Sequence, residues 1–199
     1  MPKIIGESLA EHRAETRRRV LTAFGDLLNE RGYDAVRLAD VASRAEIGRT
    51  AIYNHFADKE AVLLAFAMDE TERYVEAIRS ALEEVEGPVE RLRTYVRMHV
   101  ALSREMHMGL GPQLYSVLSR DALLHMREHV IVVEDLLRDV LEDGMAQGTF
   151  ALEDLRATTG LVLACLQSRQ VTHPETPERD AAVAMTERFV LRAVGVPSL

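Results

Sequence analysis

Apolar residues recur along this chain at steps of three and four, and almost nowhere in a sustained alternation of two. Steps of three and four place side chains on one face of an α-helix, so the chain reads as helical from end to end, without strands. Val20, Phe24, Leu27 and Leu28 form the first stripe. Ser8 and Glu11 make a capping-box pair ahead of it, and Gly32 stands where a helix stops. A short helix is expected over 37–44, with Leu38, Val41 and Ala42 facing inward. The turn Ala45–Gly48 then leads into a second short helix over 49–55.

From Asp58 the scale changes. Asp58 can cap a long helix to Glu84, which "EGP" at 86–88 closes. Pro88 suits the first turn of a helix over 89–105. "GLGP" at 109–112 interrupts the chain before a short helix over 113–119, and Asp121 precedes a helix running to Gln147. In that helix Val130–Val133 and Leu136, Leu137, Val140 and Leu141 are apolar on most sides, which predicts burial in a bundle. Two last helices are expected over 153–171 and 178–194. The architecture predicted is all-α: a three-helix domain over 1–57, followed by about six helices over 58–199.

Composition narrows the class. The 199 residues are 47% hydrophobic and 28% charged, as in a folded globular chain. The longest apolar run, Ala61–Met68, falls far short of the roughly 20 residues of a membrane span. The first 25 residues are too charged for a signal peptide, and the single Cys165 fits a reducing compartment. A cytoplasmic protein without a membrane partner is expected. The net charge of −8 is unevenly placed: residues 1–60 hold ten basic and ten acidic side chains, so all the excess acid comes later. Arg13, Arg17, Arg18 and Arg19 cluster near the start. Phosphate contact depends on where cations sit more than on their sum, so the first 60 residues are free to meet nucleic acid.

The stretch "GRTAIYNHFADKE" at 48–60 carries the sharpest chemistry. Two short helices joined by a tight turn, the second rich in polar side chains, match a helix-turn-helix. Ile47, Ala51, Ile52 and Phe56 are placed to pack inward. Arg49, Thr50, Tyr53 and Asn54 share the opposite face, which can enter a major groove, where Arg pairs with guanine and Asn with adenine. Tyr53, His55 and Lys59 suit phosphate oxygens, which fix register rather than sequence. For any one of these residues a merely solvated helix face explains as much. Together they form a pattern.

Read from Arg17 to Leu63, "RRRVLTAFGDLLNERGYDAVRLADVASRAEIGRTAIYNHFADKEAVL" resembles the TetR family of bacterial repressors. Gly32-Tyr33, Asp40-Val41-Ala42, Ile52-Tyr53, His55-Phe56 and Lys59-Glu60 carry the likeness. The resemblance implies a homodimeric repressor that binds a palindromic double-stranded operator and is released by a small-molecule effector, which the apolar side chains of the later helices lead us to expect is hydrophobic. No cofactor, metal or enzymatic activity is expected. The family usually has Thr at Val36 and Arg37, so Arg37 is left to supply a phosphate contact by charge. It prefers Gly where Glu46 stands, and Ser or Thr where Gly48 stands.

The later helices offer Met98, Leu102, Leu114, Tyr115, Leu118, Met126, His129 and Val133 as apolar or adaptable effector contacts. A plain core explains each of them singly. His125 and His129 stand at a metal-chelating spacing, yet no Cys joins them and no HExxH occurs. No phosphate loop or GxSxG is present, and Cys165 sits in the apolar run "GLVLACL". A non-enzymatic helical protein that binds a small molecule or senses a metal is the alternative reading. As in the family, Leu155, Val162 and Leu166 with Met185 and Phe189 are expected at a two-fold interface.

Overall fold

The computed structural model describes residues 6–105, 118–167 and 177–196, all helices and connections, with no strand among them. The helices are α1 (Gly6–Arg31), α2 (Leu38–Arg44), α3 (Lys59–Glu83), α4 (Pro88–Glu105), α5 (Arg120–Ala146), α6 (Leu155–Gln167) and α7 (Pro177–Ala193), with a single 3-10 turn at Ala51–Asn54. Two compact units divide the chain: residues up to Asp69 with 118–126, and 70–105 with the chain from Arg127 onward.

In the first unit the stripe of α1 is core: Val20, Phe24, Leu27 and Leu28 are buried, as are Val36, Val41 and Ala42. Val62, Leu63 and Phe66 of α3 join them, and the rings of Phe24 and Phe66 meet edge to face at 5.6 Å. Each such side chain contributes about 1.5–3 kcal/mol by leaving water. Gly32 closes α1 at φ 73, its N–H bonded to the Leu28 carbonyl at 2.9 Å. Asp58 caps α3, its Oδ1 accepting the Ala61 N–H at 2.8 Å. The 118–126 segment is tied to this unit by the Glu60 carboxylate, which accepts the Ser119 N–H at 2.6 Å.

The second unit packs α4, α6 and α7 with the later parts of α3 and α5. Tyr74, Ile78, Leu92, Tyr95, Leu137, Leu141, Leu166 and Val190 lie at its centre. Two ion pairs fasten its helices: Arg91 to Asp143 at 2.7 Å, and Arg97 to Glu187 through two bonds of 2.6 and 3.0 Å. Gly144 is required at the end of α5, because a Cβ there would lie 2.0 Å from the Phe150 ring.

Four local expectations change. α1 already runs from Gly6, so Ser8 lies inside a helix and is not its cap. α5 is capped by Ser119, whose Oγ accepts the Ala122 N–H at 3.2 Å, rather than beginning after Asp121. The stretch Val130–Val132 is exposed, Ile131 by 47%. Successive helix positions turn by about 100°, so three in a row cover most of the circumference, and only Val133 packs on the core. The expected helix over 49–55 is the 3-10 turn Ala51–Asn54. The expected helix over 113–119 and the end of the one over 153–171 fall outside the described residues.

Candidate nucleic-acid interface

The 3-10 turn follows from its residues. Gly48 brings no capping side chain, Thr50 at the N-cap makes no capping hydrogen bond, and Thr, Ile, Tyr and Asn favour a helix little. A stretch this short is marginal as a helix on its own. It is held from behind instead: Ile52 and Phe56 are buried, and the N–H groups of His55 and Phe56 both bond the Ile52 carbonyl at 3.0 Å. Pinning that side leaves Arg49, Thr50, Tyr53 and Asn54 exposed on the other, Tyr53 by 59%.

The turn ahead of this element is a Schellman motif. The Glu46 N–H bonds the Ser43 carbonyl at 3.1 Å and the Ile47 N–H bonds the Ala42 carbonyl at 2.9 Å. Glu46 sits at φ 52, the left-handed conformation that Gly adopts freely and other residues rarely. Arg37, exposed and extended at the N-cap of α2, makes no side-chain capping bond.

Lys59 is already engaged within its unit. Its Nζ donates to the Tyr33 carbonyl at 3.0 Å and lies 4.1 Å from the Tyr33 ring centroid. The Arg17 guanidinium stands 5.0 Å over the Phe56 ring. His55 is half-buried, and its pKa is lowered by that burial, then by the charges of Arg13 and Arg17 and by His12. Arg13 and Arg17 thus share a face with the short element. Their spacing of four along α1 was the sequence signal for this, but nothing in it said which face the short element would join.

The second unit holds some of the effector candidates and buries a polar cluster in its core. Met98 and Val133 pack against its core and Leu102 is buried in it, whereas Leu118 is buried in the first unit. Leu114 and Tyr115, and the side chains of Met126 and His129, lie outside the described residues. His125 Nδ1 is 2.8 Å from the Asp121 carbonyl oxygen. Among the core residues is a polar cluster that the sequence did not single out. Tyr74 Oη and His99 Nδ1 are 2.6 Å apart, and the Tyr95 ring stacks on His99 with centroids 6.0 Å apart. Burial lowers the His99 pKa to about 4 and pushes that of Tyr95 up to about 12. The Tyr95 hydroxyl is buried and interacts with that of Tyr74, which in turn meets His99. A cleft of about 490 Å³ also opens in this unit, lined by Leu82, Val85, Arg91, Leu136 and Val140 among others, but no effector candidate lines it.

Val162 and Leu166 face inward into the core, and Leu155 packs against it. The exposed apolar groups of α6 and α7 are Leu161 at 72%, Phe189 at 55%, and Met185. Leu161 is the residue that periodicity missed, because 160–166 is apolar or small all round.

Known proteins agree with this layout. Residues 21–66 match the family described as bacterial regulatory proteins, tetR family, and residues 88–190 match the tetracyclin repressor-like C-terminal domain. The transcriptional activator FasR of Mycolicibacterium smegmatis is 31% identical over 84 residues, which span 42% of this chain and 38% of FasR. The chain thus matches little more than a third of that relative's length. The fatty acid degradation regulator FadR of Bacillus halodurans superposes with a TM-score of 0.76 at 23% identity, covering 88% of this chain and 94% of that one. RolR, solved in complex with its ligand resorcinol, superposes with a TM-score of 0.63 at 28% identity, covering 94% and 91%. With its amino-terminal and carboxy-terminal regions both matched, the chain belongs to the TetR family of bacterial regulators.

Proposed function

We propose that the chain is a ligand-responsive transcriptional repressor, with residues 1–57 contacting a palindromic operator and residues 58–199 binding an effector and pairing two copies. The observation that carries this is the short element at 51–54: apolar anchors fix it from behind, and Arg49, Thr50 and Asn54 are presented to solvent with no structural duty. Such residues read base edges, while Arg37, Tyr53, His55 and Lys59, with Arg13 and Arg17 beside them, hold phosphates. Lys59 has three donors and commits one to Tyr33, which leaves it able to do both. One such element reads one half-site, so a palindrome calls for two copies. The exposed Leu161, Met185 and Phe189 support a pairing face.

In the second unit, Met98, Leu102 and Val133 provide apolar contact for the effector. The buried polar groups of Tyr74, Tyr95 and His99 support an effector with a hydrogen-bonding oxygen, and RolR's resorcinol is a molecule of that kind. An effector that weakens operator binding is itself bound more weakly by the DNA-bound protein, by the same factor.

The test begins by selecting duplexes from a random pool with the whole protein. Arg49→Ala and Asn54→Ala are each expected to cost roughly 1–3 kcal/mol on the selected duplex and little on a scrambled one. Equal losses on both duplexes would make that residue a backbone contact, and failure to enrich any duplex would end the DNA-binding reading.

A further inference from the structure

The arginine cluster of α1 does not act as one group. Arg18 is exposed and pairs with Glu15, Arg17 lies over Phe56, and Arg13 stands near His55. Arg19 does something else. Its Nη2 donates to the Ala45 carbonyl and, at 3.2 Å, to the Glu46 carbonyl, and the same nitrogen lies 3.5 Å from Glu46 Oε2. Both carbonyls belong to the Schellman turn whose left-handed residue is Glu46.

A residue with a Cβ pays a steric cost at that φ that glycine avoids. A guanidinium donating to the carbonyls of Ala45 and Glu46, which flank the left-handed Cα, gives this conformation charge-assisted bonds that another turn geometry would lose. The Glu46 carboxylate draws the same guanidinium closer. Arg49 begins the outward face only three residues later, so any rotation at residue 46 re-aims the whole element. The Nη2 donor of Arg19 faces protein carbonyls, and the Arg19 side chain is half as exposed as that of Arg18, 38% against 74%.

We propose that Arg19 is a positioning residue for sequence recognition: it clamps the left-handed turn at Glu46 and so sets the angle at which Arg49, Thr50 and Asn54 meet a base pair. The proposal rests on the DNA-binding reading above. It predicts that a glycine at 46, which needs no clamp, makes Arg19 dispensable.

The test uses the duplex selected by the wild-type protein and a scrambled duplex of equal length, with Arg19→Met, Glu46→Gly and the double variant, each over a salt series. Arg19→Met is expected to weaken the selected duplex by about tenfold, within the range of a misaligned base contact, and to leave the scrambled duplex and the salt slope unchanged. Adding Glu46→Gly should restore most of the lost affinity. Loss on both duplexes with the slope reduced by about one would make Arg19 a phosphate contact and overturn the proposal. So would an unchanged Arg19→Met, or a double variant as weak as the single. Should Arg19→Met melt the first unit, the double variant decides: a folded, specific protein supports the clamp, and an unfolded one reduces Arg19 to general packing. A wild-type protein that enriches no duplex defeats the DNA-binding reading itself, a result visible before any variant is made.

Discussion

The two units invert each other. In the first, polar side chains at Arg49, Thr50, Tyr53 and Asn54 face water over the apolar backing of Ile52 and Phe56. In the second, the polar groups of Tyr74, Tyr95 and His99 are sunk in an apolar core, while Leu161, Met185 and Phe189 lie outside. Water-facing polar groups cost nothing to keep, so what singles out the first surface is its rigid backing. Buried polar groups and exposed apolar ones both run against the hydrophobic effect, and such exceptions carry information about partners.

Phe56→Ala is the largest expected break in this contrast. Removing a buried aromatic should cost about 3–5 kcal/mol and abolish binding to the selected duplex, because the short element loses its floor. Chemical denaturation and DNA titration measure both. A variant that keeps full specificity would show that the element holds itself up.

The next effect tests the inverted side. Burial drops the His99 pKa from 6.5 in the unfolded chain to about 4 in the folded one. The unfolded state therefore takes up the proton first, and stability is lost as pH falls from about 6.5 towards 4, being fully present above that window. The full difference is worth about 3 kcal/mol. His99→Gln, which cannot titrate but can still bond Tyr74, should flatten this part of the stability-against-pH curve. An equal slope in the variant would mean that His99 is not held neutral.

The smallest effect expected is at the outer apolar face. Leu161→Glu should weaken self-association by about 2 kcal/mol, as loss of a buried interface anchor does, and leave the melting of the protomer unchanged. Sedimentation at several concentrations reads the first and calorimetry the second. Unaltered self-association would rule out Leu161 as part of a pairing face.

These contrasts were legible in the sequence to different depths. Spacing alone marked the stripe of α1, the stop at Gly32, the cap at Asp58 and the inward set Ile52 and Phe56, because one amphipathic face per helix has one place to go. It did not separate Leu161 from Val162 and Leu166, since a helix apolar all round declares no face. The Tyr74–His99 pair spans 25 residues between two helices, and such a meeting leaves no local trace. The 3-10 turn departed from the expected helix because so short an uncapped stretch of weak helix formers is held only by the anchors at its back. Glu46 worked the other way, as a residue out of place for a left-handed turn and found in that conformation.

The short element at 51–54 has a consequence for how such a protein diverges. Its fold is decided by Ile52 and Phe56, while its outward positions contribute almost nothing to stability. Residues 49, 50 and 54 can therefore change without the chain crossing its folding threshold, and under the proposed reading each change would alter which bases are favoured. After duplication of the gene, the two copies could acquire separate operators through a few neutral steps on one face, with every other part of the scaffold left as it was.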